Sequence, residues 1–374
     1  MELQEYLADL EYLVNIDSCS DDPEGLNRVA EFFSTRFREM GWNVEEHDLA
    51  PESGTCVICT NRKADHYDLM LMGHLDTVLP KGTCAERPFR IEGNLALGPG
   101  VSDMKHGSLM MYYLLKELPT EINEKLNIVV VFNPDEEIGS IYSRKTYQRY
   151  AEITDYAFLY EAGSDSGARC VQRKGATGFE VEFTGKEGHC GFVFTNGAVS
   201  AVSEMARWIV ALDALQSKER DTTVNVGVAC GGTKRNVVAG HASISVSCRY
   251  ILPEEADRIE QTLDMLTQQA KEHGVGVAFK NKGSKPPLVL TEAGKAYVAH
   301  ITELAKEHGF QPEFATRGGL SDANFIAQHG PICLDGMGPA GGGDHSPDEY
   351  MLIDSVMPTF EFSKMLIKDL ADRK

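Results

Sequence analysis

Apolar segments alternate with amphipathic ones along the chain, and several apolar segments end in acidic or histidine residues. Residues 128–132 are β-branched and apolar, which predicts a strand buried on both faces. Pro134 ends this run, and Asp135, Glu136 and Glu137 follow at once. Adjacent carboxylates at the end of a core strand repel one another and resist desolvation. A bound cation would remove this conflict, whereas a solvated acidic turn is the plainer interpretation.

The N-terminal and C-terminal parts of the chain both alternate between predicted helices and predicted strands. We predict helices over residues 2–16, 23–40, 104–118, 140–150, within 288–308, and over 355–370. We predict strands over residues 42–48, 54–61, 67–72, 128–132, 156–160, 312–314 and 331–334. This order indicates an α/β fold with a mostly parallel twisted sheet and helices on both faces.

The middle of the chain has a different order, β-α-β-β-α-β. The predicted strands are 177–184, 222–229, 242–251 and 275–280, and the predicted helices are 197–215 and 254–273. This order is typical of a small ferredoxin-like α+β domain. We therefore predict a discontinuous domain of residues 1–174 and 285–374 with a second domain, residues 175–284, inserted into it. Residues 165–174 and 282–287 are candidate hinges.

Composition excludes several classes of partner. The hydrophobic fraction of 42% and the charged fraction of 25% are those of a globular protein. Fifty-six acidic against 36 basic residues produce a net charge of −20, which argues against nucleic acid and anionic membranes as partners. No apolar run is long enough to span a bilayer. Residues 1–20 carry acids where a signal peptide would need a basic end, so we expect an amphipathic helix there. Nine scattered cysteines suggest reduced thiols, so we predict a cytoplasmic location.

Potential metal ligands recur at predicted strand ends and helix starts. They are His74, Asp103, Glu136 or Glu137, Glu161 and, after a glycine-rich loop, His345. In an open, mostly parallel sheet, ligands bind beyond the carboxyl ends of the strands, so we predict one shared site. Taken singly, His74 is a histidine in a loop and Asp103 is the N-cap of the helix that follows it.

The chemistry of this set favours a pair of metal ions. Two imidazoles and three carboxylates suit Zn²⁺, Co²⁺ or Mn²⁺. They are too many for one tetrahedral zinc with an open position, but they fit two metals bridged by a carboxylate. Glu136, next to the ligand Glu137, is the candidate general base for an activated water. Asp76 shares a face with His74 and is the candidate that orients its ring.

Several motifs together carry a family resemblance. They are GHLDTV at 73–78, SDMK at 102–105, NPDEEIGS at 133–140, EAG at 161–163, GKEGHCG at 185–191 and GGGDHSPDEY at 341–350. Over nearly its whole length the chain resembles the zinc-dependent exopeptidases and deacylases of the glutamate carboxypeptidase, acetylornithine deacetylase and aminotripeptidase family. It looks closest to the glutamate carboxypeptidase branch. The resemblance implies a phosphorylase/hydrolase-like catalytic domain and an inserted lid and dimerisation domain.

The resemblance also implies the metal ligands, namely those of two zinc ions per subunit. It makes His74 a ligand of one zinc and His345 a ligand of the other. Asp103 matches the bridging carboxylate, and Glu137 and Glu161 match the terminal carboxylate ligands.

Further residues match other functional positions of the family. Asp76 matches the residue that orients the first histidine, and Glu136 matches the base. A cis peptide is implied after Asp103. His189 matches a histidine that reaches a neighbouring subunit's site and stabilises the oxyanion, so a homodimer through the inserted domain is implied.

Three residues match positions that hold the substrate's backbone or carboxylate. They are Asn236, Arg249 and Arg317. An arginine fork suits a carboxylate, but Arg249 could equally form a salt bridge at the end of a strand.

These expectations define a function with named alternatives. We predict a dizinc metallopeptidase that hydrolyses the amide bond of a small peptide or N-acyl amino acid with a free carboxylate. An N-acyl amino acid deacylase and an aminotripeptidase are the alternatives. A non-catalytic metal-binding protein would have lost a ligand or Glu136, and the sequence shows neither loss. Two departures from the family pattern are Cys190, where a smaller residue is usual, and the high glycine content of residues 338–344.

Overall fold

The computed structural model describes residues 1–164 and 166–374, which form two compact units. The first unit contains Met1–Val171, Leu290–Thr316 and Ser321–Lys374, and the second contains Gln172–Val289 and Arg317–Leu320. The predicted domain bounds lie within a few residues of the boundaries between these units. The sequence did not indicate that the short segment 317–320 belongs to the second unit. The lid and dimerisation roles stay predictions. One predicted hinge begins at Asp165, which lies outside the described residues.

The α-helices and β-strands follow the predicted order closely. The helices are α1 (Leu3–Val14), α2 (Pro23–Glu39), α3 (Thr83–Glu86), α4 (His106–Lys116), α5 (Thr120–Lys125), α6 (Arg144–Ala151), α7 (Val193–Asn196), α8 (Ala201–Asp213), α9 (Glu254–Glu272), α10 (Glu292–Glu307), α11 (Ala323–Ile326) and α12 (Val356–Asp372). The strands are β1 (Asn43–Asp48), β2 (Thr55–Thr60), β3 (Tyr67–His74), β4 (Arg90–Glu92), β5 (Leu95–Leu97), β6 (Ile128–Asn133), β7 (Thr154–Leu159), β8 (Arg169–Arg173), β9 (Gly175–Thr184), β10 (Gly188–His189), β11 (Thr223–Gly231), β12 (Val237–Val238), β13 (His241–Tyr250), β14 (Gly276–Lys285), β15 (Phe314–Arg317), β16 (Ile332–Leu334), β17 (Gly341–Gly342) and β18 (Tyr350–Leu352).

The central sheet of the first unit has the order β1-β2-β6-β3-β7-β16. Its four strands β6, β3, β7 and β16 run parallel. Strand β2 pairs antiparallel with β6, and β1 pairs antiparallel with β2. Every residue of β6 is buried, as its β-branched run predicted. The mostly parallel α/β fold is therefore confirmed.

The register of the parallel strands brings their carboxyl ends together. His74, the last residue of β3, pairs with Asn133, the last residue of β6. On the other side of β3, Met72 pairs with Leu159, the last residue of β7. The segments that follow β3, β6 and β7 therefore leave the sheet at one edge, as the strand-end rule requires.

Helices α2 and α4 show how the sheet is covered. Phe33 of α2 stacks on Phe132 of β6 with ring centroids 4.3 Å apart. Helix α4 is mostly apolar and is buried on all sides from His106 to Leu115, which is typical of a helix inside a core.

The start of α6 lies later than the sequence predicted. The helix expected from residue 140 begins at Arg144, and Ser140 has a φ of 52°. The backbone N–H groups of Tyr142 and Ser143 donate to Asp135 Oδ2 over 2.7 and 3.2 Å. Because Asp135 captures these donors, the chain forms a turn before it can begin the helix.

The main sheet of the second unit is antiparallel with the order β11-β13-β9-β14, and the long helices α8 and α9 pack against it. This is the strand order of a ferredoxin-like domain. Alternate residues of β9 are buried, and Phe183 packs edge-to-face against Trp208 of α8 with centroids 5.2 Å apart. The inserted α+β domain is built on this alternation of inward and outward side chains.

Candidate metal centre

The first half of the site is built around His74 at the end of β3, whose side chain is buried. Its Nε2 lies 2.9 Å from Asp103 Oδ1 and 3.9 Å from Glu161 Oε2. Its Nδ1 lies 3.0 Å from the carbonyl oxygen of Asp76 and 3.2 Å from Asp76 Oδ1. With Nδ1 held by these acceptors, Nε2 is the nitrogen that can ligate a metal.

The second half is built around His345. Its Nε2 lies 3.1 Å from Asp103 Oδ2 and 3.1 Å from Glu137 Oε2. Asp103 therefore offers one carboxylate oxygen to each histidine. All five predicted ligands meet at this edge of the sheet, and ligand atoms of His74, Asp103 and Glu137 lie within 4.8 Å of one another.

Asp103 reaches this position from a turn rather than from a helix cap. It lies in the kinked turn Val101–Lys105 with a non-helical φ of −119° and ψ of 94°, and α4 begins only at His106. The prediction that Asp103 is the helix N-cap is wrong, because its carboxylate faces the two histidines instead of the free N–H groups of the helix. The cis peptide between Asp103 and Met104 is present.

Asp76 connects the histidine to the acidic turn after β6. Its Oδ1 accepts the backbone N–H of Glu136 over 3.0 Å, and its Oδ2 accepts that of Glu137 over 3.1 Å. Oδ2 also accepts the hydroxyl of Ser20 over 2.6 Å. The same buried carboxylate thus orients His74 and fixes the two glutamates beside it. Ser20 was missed, since nothing in its local sequence connects it to a residue 56 positions away.

The electrostatics of the site fit a cation. Burial raises the pKa of Glu137 to about 8, and the negative charge of Asp103 adds to this effect. Burial likewise raises the pKa of Glu161 well above its usual value. Glu137 Oε1 is buried and has no hydrogen-bond partner among the described residues. A divalent cation would offset the crowded negative charge and would supply the missing partner.

The histidines partly neutralise Asp103. Burial alone would raise the pKa of Asp103, but hydrogen bonds with His345 and His74 outweigh burial and hold it below its usual range. The hydrogen bond with Asp103 raises the pKa of His345 to about 9. A donor set of imidazole nitrogens and carboxylate oxygens suits Zn²⁺, Co²⁺ or Mn²⁺.

The glycine-rich loop before His345 is explained by close packing. A Cβ at Gly338 would lie 2.7 Å from the carbonyl oxygen of Tyr160 and 2.8 Å from that of Glu161. A Cβ at Gly341 would lie 2.6 Å from Ser102 Oγ. These glycines let the loop lie against both the end of β7 and the turn that carries Asp103, so the departure from the family pattern concerns backbone packing.

The second unit brings two predicted residues together, His189 and Asn236. His189 pairs with Val237 across the β10–β12 ladder, and the N–H of Cys190 donates to the carbonyl oxygen of Asn236 over 3.1 Å. His189 Nδ1 accepts the N–H of Gly191 over 3.1 Å. The neutral ring therefore carries its proton on Nε2. His189 and Cys190 are both exposed, so the larger side chain at position 190 needs no internal space.

The two predicted substrate arginines also belong to the second unit. Arg249 is on β13, and its Nη1 is buried without a hydrogen-bond partner in the part of the chain that the structure describes. Arg317 ends β15, and its carbonyl oxygen accepts the N–H of Lys174 over 3.1 Å.

The fold and the donor set together define a metal-dependent hydrolase of the α/β class. Residues 70–369 match the family described as Peptidase family M20/M25/M40, and the chain belongs to this family. This confirms the family that the sequence motifs indicated.

Relatives of known name agree with this assignment. The chain is 30% identical to carboxypeptidase G2 of Pseudomonas sp. (strain RS-16) over 98% of this chain and 89% of the relative. It is 26% identical to succinyl-diaminopimelate desuccinylase of Stenotrophomonas maltophilia (strain R551-3) over 77% of this chain and 80% of the relative. The solved structure of aminopeptidase PepT from Bacillus cereus ATCC 10987 has a TM-score of 0.81 at 22% identity and covers 99% of each chain, which shows the shared fold.

The protein is therefore an M20 family metallohydrolase that acts on amide bonds of peptides or acyl amino acids. Among the described residues, no helix has both the length and the hydropathy needed to cross a membrane.

Proposed function

We propose that the protein is a dizinc exopeptidase that hydrolyses the amide bond of a small peptide or N-acyl amino acid with a free carboxylate, in the manner of a glutamate carboxypeptidase. The observation that carries this proposal is the position of Asp103 between His74 and His345, with one carboxylate oxygen facing each ring. The match to carboxypeptidase G2 over nearly the whole chain supports the substrate class.

The ligands divide into two sets that share Asp103. His74 and Glu161 would complete one position, and His345 and Glu137 would complete the other. Two bound divalent ions would polarise the amide carbonyl and acidify a water molecule between them. Zinc is proposed, with Co²⁺ or Mn²⁺ as substitutes for the same donors.

Glu136 is the proposed general base. Its backbone N–H is held by Asp76, the residue that also orients His74, so its position beside the ligand Glu137 is set by the metal site itself. A carboxylate in this position would take a proton from the attacking water and deliver it to the leaving amine.

The predicted functional residues of the second unit are proposed to contact the substrate. His189 would donate from Nε2 to the oxyanion that forms at the attacked carbonyl. The unpartnered Nη1 of Arg249 would hold the substrate's free carboxylate, since guanidinium and carboxylate match in geometry and charge. Asn236, beside His189, and Arg317 are proposed to hold the substrate's backbone or carboxylate.

We also propose a homodimer through the second unit. Strand β11 lies at the edge of its sheet, and most of its residues are exposed, including Val228 at 55%. On α8, Val210 is 71% exposed. An exposed edge strand and an exposed apolar residue in the same unit suit pairing with a second copy. The cytoplasmic location stays a prediction; in the described part of the chain the nine cysteines form no disulfide.

The alternative is an N-acyl amino acid deacylase. The match to succinyl-diaminopimelate desuccinylase supports it, and it would use the same metals and base. An aminotripeptidase has support from the fold alone. A non-catalytic metal-binding protein is disfavoured, because the sequence keeps every predicted ligand and Glu136.

A substrate panel tests the proposal. The zinc-loaded protein would be given N-acyl glutamates, other N-acyl amino acids, dipeptides and tripeptides, with and without a chelator. We expect chelator-sensitive release of C-terminal glutamate. Preference for simple acyl amino acids or tripeptides would move the protein to the alternative branches, and absence of turnover with two bound metals would contradict the proposal.

A further inference from the structure

A buried carboxylate outside the ligand set holds the turn that carries Asp103. Glu349 lies four residues after His345 and is 3% exposed. Its Oε1 accepts the backbone N–H groups of Ser102 and Asp103 over 2.8 and 2.9 Å. Its Oε2 accepts the N–H of Gly100 over 2.9 Å. Burial of a carboxylate is costly unless it is hydrogen-bonded, and these three donors supply the compensation.

A second contact joins the same two segments on the other side of His345. The hydroxyl of Ser102 donates to Asp344 Oδ1 over 2.7 Å. The close approach of Gly341 to Ser102 belongs to the same contact. We call Ser102, Asp344 and Glu349 the clasp, because they connect the turn before α4 to the loop that carries His345.

The two proposed ligand sets differ in what holds their members at a fixed spacing. His74 is the last residue of β3 and Glu161 lies two residues after β7, and the register of these two strands sets their separation. The central sheet does not set the separation of His345 from Asp103, since His345 is in the loop between β17 and β18 with a φ of 61°. The small sheet β17-β18-β5-β4 links the two ends of this loop to residues 95–97, which precede Asp103. The clasp adds the side-chain contacts that join this loop directly to the turn of Asp103.

We propose that Glu349, together with the contact between Ser102 and Asp344, is a positioning residue that sets the metal position formed by His345, Asp103 and Glu137. The inference rests on the proposed function, because it takes these three residues as ligands. Outer contacts of this kind commonly change metal affinity by about 10- to 100-fold.

The matched variants are Glu349→Gln and Asp348→Asn. The substituted glutamine side chain keeps the shape of the glutamate but has one oxygen, and its amide group faces a backbone donor. Asp348 is the preceding residue, is exposed, and loses the same charge. Ser102→Ala is a milder variant that removes the hydroxyl bonded to Asp344.

The test is titration of the metal-free full chain with Co²⁺, followed by visible absorption and calorimetry. We expect two binding events in the unchanged protein. Glu349→Gln should weaken one event about 10- to 100-fold and change its absorption band, with a smaller effect on the other event. Ser102→Ala should weaken the same event less, and Asp348→Asn should match the unchanged protein. A purely structural role would lower the free energy of unfolding without changing the absorption of bound Co²⁺.

The outcomes separate the two proposals. Fewer than two Co²⁺ ions in the unchanged protein would overturn the dimetal function itself. Two ions there, with Glu349→Gln and Ser102→Ala both binding as Asp348→Asn does, would overturn the positioning role alone. Far-UV circular dichroism of each metal-free variant checks folding, and if Glu349→Gln does not fold, Ser102→Ala decides the question.

Discussion

The His74 half of the candidate metal centre and the His189 segment are built in opposite ways. In the centre, His74 and Asp76 are buried and each is held by several neighbours. His189 is exposed and depends on a ladder of two residue pairs. The comparison teaches that residues of one proposed reaction can be fixed to different degrees. Ligands must be held before a metal arrives, whereas a residue that meets the substrate can remain in solvent until the substrate binds.

The largest expected effect is at the proposed general base, Glu136. Glu136→Ala should lower kcat by about 10²- to 10⁴-fold, because the proton transfer loses its acceptor. Metal content, measured by mass spectrometry of the purified protein, should stay at that of the unchanged chain. Glu52→Ala, an exposed acid, serves as the control. Loss of metal in Glu136→Ala would show that Glu136 and Glu137 have exchanged roles.

The second-largest effect is expected at the exposed residue of the comparison, His189. His189→Ala should lower kcat by about 10²- to 10³-fold, the cost of one oxyanion donor. Metal content should not change, since His189 is outside the ligand set. Cys190→Ala, the exposed neighbour whose backbone bond to Asn236 is kept, should retain activity. Full activity of His189→Ala would rule out the oxyanion role.

A third variant tests which contacts hold the buried residues of the candidate metal centre in position. Asp76→Asn should weaken metal binding by about 10- to 100-fold, because one change disturbs both His74 and the turn of Glu136 and Glu137. Competition with a chromophoric chelator measures this affinity. Ser20→Ala removes one contact of the same carboxylate and should show a smaller loss. Equal affinity in Asp76→Asn and the unchanged protein would mean that the strand register alone orients the ligands.

The smallest effect concerns a buried acid of the second unit, Glu255. Its carboxylate accepts from Thr222 over 2.7 Å and from Arg258 over 2.6 Å, and it also pairs with Arg220. Glu255→Gln should lower the free energy of unfolding by about 1–3 kcal/mol at neutral pH, because it removes charge-assisted hydrogen bonds. Urea denaturation measures this, and metal affinity should not change.

The effect of Glu255→Gln on the free energy of unfolding should depend on pH, and the pKa of Glu255 determines the direction. Burial would raise the pKa of Glu255, but hydrogen bonds with Arg258, Thr222 and Arg220 outweigh it and lower the pKa. A group with a lowered folded-state pKa stabilises the protein above its unfolded pKa and loses that contribution as the pH falls. The stability difference between the unchanged protein and Glu255→Gln should therefore shrink as the pH drops below the usual glutamate range. A difference that grows on acidification would contradict this account.

The local pattern of apolar and polar residues was sufficient to predict most of the helices and strands. The apolar run of β6 predicted a strand buried on both faces, and the alternation in β9 predicted a sheet with one inward face. Both periodicities are local, so they can be recognised without knowledge of any distant partner. The helix starts were less predictable, because Asp135 and Asp103 place turns where the pattern alone indicated helix.

The sequence by itself determined the α/β class, the inserted α+β unit and the residue types that gather at one edge, because strand ends in a parallel sheet must meet there. The tertiary structure alone decided how those residues face one another. Asp103 divides its oxygens between His74 and His345, Asp76 holds the acidic turn, and Glu349 secures the turn before α4. Each of these depends on hydrogen bonds between segments far apart in the chain, which only the folded backbone brings within reach.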